Sequence, residues 1–240
     1  MMKYFLSFLF IIALASCSSQ NISTGVVVPV KNDFFVFDAS NGFEAFYDSG
    51  ATKSISEYYK SGSIVFNGSY FGGTRPGEYY PAGYWEIDKQ MIRLSGILRQ
   101  SLPVYNDPNI THFVGLSGSD MKIFANEEYK RNAGPYDVAF QAGPLVLSEN
   151  LLQNFGDSWH ANGKHQRTLL GKTKSGKVFV FISTLPLSLS EVGEKILTDE
   201  RFIKDPITVL NLDGGPSTAF FDGKNAFRPN KKLPIVFRLK

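Results

Sequence analysis

"QRTLLGKTKSGKVFVFIST", residues 166–184, holds two apolar runs separated by Lys174-Ser175-Gly176. Two β-branched and aromatic runs with a turn triplet between them read as a hairpin of antiparallel strands. The same grammar recurs outward from it. Downstream, "SLSEVGEKILTDERF" (188–202) is the one good helix: Ser188 or Ser190 caps its start, Glu191 sits in the first turn, and Val192, Ile196 and Leu197 form an apolar stripe. "ITVLNL" (207–212) is a strand that runs straight into "DGG". Upstream, "DVAFQAGPLVL" (137–147) is a strand interrupted by "AGP", and "SIVFNGSYFGG" (63–73) is a strand running into a glycine-rich loop. From Gly25, two short apolar runs split by turn residues read as two further strands, and residues 51–60 allow one helical turn or two. The segment 74–111, dense in Pro, Gly, Tyr and Asp, reads as loops with short strands. Many short strands and few helices predict an α+β fold. It is a single domain of mostly antiparallel strands, with a sheet-based core and glycine-rich loops forming one site.

Composition bounds the function classes. With 43% hydrophobic, 14% aromatic and 20% charged residues in 240, the chain has the make-up of a globular protein able to bury a core. The N-terminus, "MMKYFLSFLFIIALASC", has one basic residue and an apolar run from Phe5 to Leu14. That run is shorter than the roughly 20 residues a bilayer span requires and matches the apolar region of a secretory signal. Its ending resembles a bacterial lipobox, with Cys17, the sole cysteine, at the acylated position. The expected division is a signal peptide over 1–16, a lipid-tethered linker over 17–24 and a domain over 25–240, placing the protein at a bacterial cell envelope, membrane-bound through its N-terminal lipid. With 25 basic and 22 acidic residues the net charge is +3, and loss of Lys3 leaves 24 against 22, or +2. That is too mild a charge to argue for a nucleic-acid partner. No clustered His, Cys or Asp spacing points to a metal, and no cofactor motif is present.

Four stretches share one design, an apolar strand delivering a polar residue next to glycine: "VFNGSYFGG" with Asn67, "FQAGP" with Gln141, "HQRTLLG" with Arg167, and "LNLDGG" with Asn211 and Asp213. Glycine there lets the backbone turn and lets a ligand approach closely. Any one of them alone is also what an ordinary hairpin needs, with Asp213 capping its own turn and Arg167 a surface cation. Four together argue for a shared site.

In that order, "NGSYF", "QAGP", "RTLLG" and "NLDGGPST" resemble the phosphodiester glycosidase family over roughly residues 60–225. This chain has Gly68-Ser69 where many relatives read Gly-Gly, and Pro216 after the DGG. The resemblance implies hydrolysis of a sugar from a phosphodiester at the anomeric C–O bond. It implies Asp213 as base or nucleophile, Arg167 as phosphate clamp and His165 as proton donor or phosphate ligand. Asn67, Gln141 and Asn211 would hold the sugar, and the amides of Gly214 and Gly215 the anion. The partner would be a carbohydrate phosphodiester or envelope glycan. Glycosidases generally pair two carboxylates; here Asp137, Asp157, Glu78 and Glu86 are all open as the second. The competing readings are a non-catalytic lipoprotein that binds phosphorylated glycan and an envelope assembly protein.

Overall fold

The computed structural model describes residues 33–73, 79–82, 85–87, 90–91, 109–128 and 136–240. The expected signal, Cys17, the linker and Glu78 lie outside these residues.

The opening hairpin is present as His165–Thr173 paired antiparallel with Val178–Leu187. It forms the middle of a six-stranded sheet ordered Phe34–Asp38, Val178–Leu187, His165–Thr173, Ile207–Asn211, Leu145–Ser148 and Leu151–Leu152. A five-stranded sheet is centred on Val138–Ala142, flanked by Trp85–Ile87 and His112–Ser117. A second five-stranded sheet has Ile64–Asn67 between Phe220–Phe221 and Ile235–Leu239. Every pairing within these sheets is antiparallel.

All three sheets contribute to one apolar cluster that includes Phe35, Phe37, Phe66, Phe140, Leu170, Leu210 and Phe237. The other face of the six-stranded sheet, with Phe34, Leu169, Phe181 and Val209, is covered by Val192, Ile196 and Phe202 of the helical layer. Burial on both faces explains why "VFVFI" is a continuous apolar run rather than an alternating one.

The predicted 188–202 helix is two helices, Leu189–Leu197 and Glu200–Lys204. Ser188 is the cap: its side chain accepts from Glu191 N while Glu191 returns to the Ser188 amide. The break falls at Asp199, whose carboxylate accepts from Arg201 N and starts a second helix. The "AGP" interruption also has a clear role. Val138–Ala142 belongs to a five-stranded sheet and Leu145–Ser148 to the six-stranded one, so Gly143-Pro144 is where the chain passes between sheets. Gly143 has φ +148°, and a Cβ there would lie 2.7 Å from Asn109 O and 2.8 Å from Thr111 N. Glycine alone fits that crossing.

Candidate active site

The four stretches meet at the corner where these sheets join. Leu169 is opposite Asn211 in the antiparallel ladder, and Leu212 N donates to Thr168 O at 2.9 Å, which brings the backbone of Arg167 alongside that of Asp213; neither side chain's charge contributes to the other's pKa shift. Asn67 enters from the second five-stranded sheet and donates through Nδ2 to Asp213 O at 2.7 Å. Asn211 Nδ2 donates to Gly143 O at 3.2 Å, and Tyr70 Oη donates to the same carbonyl at 2.7 Å. Ser69 Oγ donates to Gln141 O at 2.8 Å. Hydrogen bonds therefore tie each of the four stretches to another.

Asp213 is half-buried at the end of the central strand. Burial pushes its carboxyl up to about 6, against the opposing pull of Ser217, the Gly214 amide and the Lys231 charge. Among the described residues no second carboxylate contributes to that shift. Asp137 instead accepts from Gly118 N at 3.0 Å at a hairpin turn, and Asp157 is exposed on a loop.

Arg167 is 4% exposed. Its Nε donates to Leu187 O at 2.9 Å, and Nη2 donates to His160 O at 2.9 Å and Gly163 O at 2.6 Å. The side chain thus holds the turn Trp159–Asn162 against the sheet. Among the described residues its Nη1 has no protein acceptor and no carboxylate lies within ion-pair distance of it. Burial lowers its pKa, yet a guanidinium stays charged at any physiological pH. A buried cation solvated by carbonyls alone carries uncompensated charge, and an anion is what it lacks.

His165 lies two residues away on the same strand. Its ring is edge-on to Trp159 at 5.6 Å and faces Gly215, whose added Cβ would lie 3.9 Å from Nδ1. Burial first, then the charges of Arg167 and His160, lower its pKa, so the ring is neutral at neutral pH. Its Nε2, Asn211 Oδ1 and Thr218 Oγ1 are the buried side-chain polar atoms without a protein partner among the described residues, and all three belong to this corner.

Three expected sugar or anion ligands are placed differently. Asn67 is 1% exposed: Nδ2 serves Asp213 O and Gly68 O, and Oδ1 accepts from Thr168 Oγ1 at 2.7 Å and Ala219 N at 3.3 Å. Both donors and the acceptor are spent inside the protein, so Asn67 positions the Asp213 loop and has nothing left for a sugar. Gln141 is fully buried and donates to Asn126 Oδ1 at 3.2 Å, behind the Gly143 crossing. The Gly214 amide donates to Asp213 Oδ1 at 2.9 Å and is committed to that carboxylate rather than to an anion. Asn211 keeps an unpartnered Oδ1, and that atom is likewise buried. Sequence reasoning passed over Tyr70 and Thr168, although both sit inside the quoted motifs beside Asn67 and Arg167. A cleft of about 490 Å³ lined by Lys122, Lys172 and Lys174 is at the far, hairpin end of the His165–Thr173 strand and takes no part in this corner.

The phosphodiester glycosidase family model matches residues 60–236, a span that contains all four stretches. The chain belongs to that family. Among solved structures, the catalytic domain of zebrafish N-acetylglucosamine-1-phosphodiester α-N-acetylglucosaminidase, auto-inhibited by its pro-peptide, aligns with TM-score 0.60 at 14% identity, over 85% of this chain and 75% of that one. A hypothetical protein from Synechocystis aligns with TM-score 0.50 at 12% identity, over 92% of this chain and 61% of that one. These likenesses establish a shared fold. A comparison with curated proteins matches none of them. The resemblance read from "NLDGGPST" and its companion motifs thus extends to the family as a whole, and a phosphodiester glycosidase is a hydrolase.

Proposed function

We propose that the protein hydrolyses a sugar-1-phosphodiester at the anomeric C–O bond. The observation that carries this reading is the buried Arg167 guanidinium, bonded only to carbonyls, at the same corner as a carboxyl pushed up to about 6. A phosphodiester bears one negative charge, and the departing phosphomonoester gains another as the C–O electron pair moves onto its oxygen. Arg167 Nη1 meets that developing charge with an N–H donor whose strength rises in a low-dielectric setting. Asp213 acts at the anomeric carbon as it becomes oxocarbenium-like, either taking a proton from the attacking water or bonding to the carbon itself. Phosphate leaves without a strong general acid, which suits a site in which Asp213 has no carboxylate partner among the described residues.

The test is incubation with a panel of sugar-1-phosphodiesters, following release of reducing sugar. Turnover of at least one member, abolished in Asp213→Asn with the fold intact, is the expected result. Full activity in a folded Asp213→Asn protein removes Asp213 from the chemistry, and glycan phosphate binding without product would make the protein a binding module. The apolar run Phe5–Leu14 followed by Cys17 supports the further proposal of lipid anchoring at a bacterial envelope. Cys17→Ser should then move the protein from the membrane to the soluble fraction.

A further inference from the structure

Beside the Asp213–Arg167 corner lies a cleft of about 540 Å³, within the roughly 300–1,000 Å³ usual for small-molecule sites. It is lined in part by Asn109, Gln153, Asn154, Phe155, Ser158 and Trp159. Three contacts join it to the corner. Pro144 in its wall follows Gly143, whose carbonyl receives both Tyr70 and Asn211. The turn bearing Trp159 and His160 supplies the carbonyls that hold Arg167. The Trp159 ring abuts His165. A substrate with its phosphate at Arg167 therefore has this cleft within reach of its other end.

We propose that the cleft is a subsite for an uncharged sugar, the residue attached to the phosphate on the side away from the bond that breaks. The identification rests on the hydrolase reading for its place in the substrate, but on the cleft's own chemistry for what it binds. Among the described residues no acid, lysine or arginine lines it; of its two histidines, burial lowers the pKa of His112, and His160 gives its backbone carbonyl to Arg167. Apart from those two imidazoles its polar lining is amide and hydroxyl, the chemistry that meets sugar hydroxyls without demanding charge. Asn154 uses its Oδ1 on the Gly156 amide, and Gln153 uses its Nε2 on Leu151 O, which leaves Asn154 an amide donor and Gln153 an acceptor. Trp159 is 70% exposed, an unusual state for so large an aromatic surface. A pyranose has an apolar C–H face ringed by hydroxyls. An open indole beside amides complements both parts of it.

The probe is a panel of neutral, phosphate-free trisaccharides, titrated into the protein and followed by saturation-transfer NMR and calorimetry. At least one should bind saturably, and Trp159→Ala and Asn154→Ala should each weaken it, the former at least tenfold. Both side chains are exposed, so the variants should melt with the wild type, and either one suffices if the other fails to fold. Lack of binding by every neutral trisaccharide, or binding indifferent to both substitutions, overturns the subsite. Because these probes carry no phosphodiester, a failed subsite leaves the hydrolase reading standing. Inactivity toward every phosphodiester, with trisaccharide binding retained, refutes the hydrolase reading instead.

Discussion

Asp213 and Arg167 are oppositely charged groups placed in one corner by different means. A carboxyl whose folded pKa is about 6, above its ordinary 3.8, makes ionisation oppose folding. That contribution is fully present below about pH 3.8 and is lost as pH rises through about 6. Asp213→Asn, which keeps an oxygen to accept the Gly214 amide, should therefore be more stable than wild type at pH 7.5, by on the order of 2–3 kcal/mol. The difference should vanish near pH 4, which urea melts at the two pH values will read. If Asp213 works ionised, kcat/KM should climb about tenfold per pH unit below about 6 and flatten above it, a limb absent from any residual activity of the Asn variant. For Arg167, a lysine cannot fork onto the carbonyls of Leu187, His160 and Gly163 at once. Arg167→Lys should cost about 2–4 kcal/mol by chemical denaturation and also weaken inhibition by inorganic phosphate.

At the scale of elements, the site depends on the close approach of the 213–217 turn to the His165–Thr173 strand. A Cβ on Gly214 would stand 2.7 Å from Gln166 O, a backbone atom that cannot swing away. Gly214→Ala should push the turn off the strand, lowering stability by about 1–3 kcal/mol and activity with it. Asn67→Ala tests the same joint from the other sheet. It strands Asp213 O, the Thr168 hydroxyl and the Ala219 amide, for about 2–4 kcal/mol. Thermal melts paired with turnover measure both. In the helical layer, Ser188→Ala removes a reciprocal cap and should cost about 1 kcal/mol without touching the chemistry.

At the scale of the whole molecule, the three sheets share one core, so no sheet can loosen alone. Phe66 is fully buried in that core, and the next residue is the Asn67 that holds the Asp213 loop. Phe66→Ala should cost about 3–5 kcal/mol. Circular dichroism and substrate protection should still report a single common midpoint.

The hairpin at 174–176, a serine cap at 188 or 190 and the strands feeding each glycine motif were legible in the chain because each depends on neighbours a few residues apart. The polar tips of the four motifs were legible too, as residue types. Which tip faces a ligand was not. Asn67 and Arg167 look alike on paper, each a polar residue in a glycine motif. One is consumed by bonds to residues 101, 146 and 152 positions away, while the other retains an unpaired nitrogen. The raised Asp213 pKa likewise comes mainly from burial, and Trp159 meets His165 only because a buried arginine pins its turn. Local sequence determined strands, turns, caps and the inventory of chemical groups. Tertiary structure alone decided their partners and exposure, because hydrogen-bond satisfaction and desolvation are properties of what surrounds a group in space.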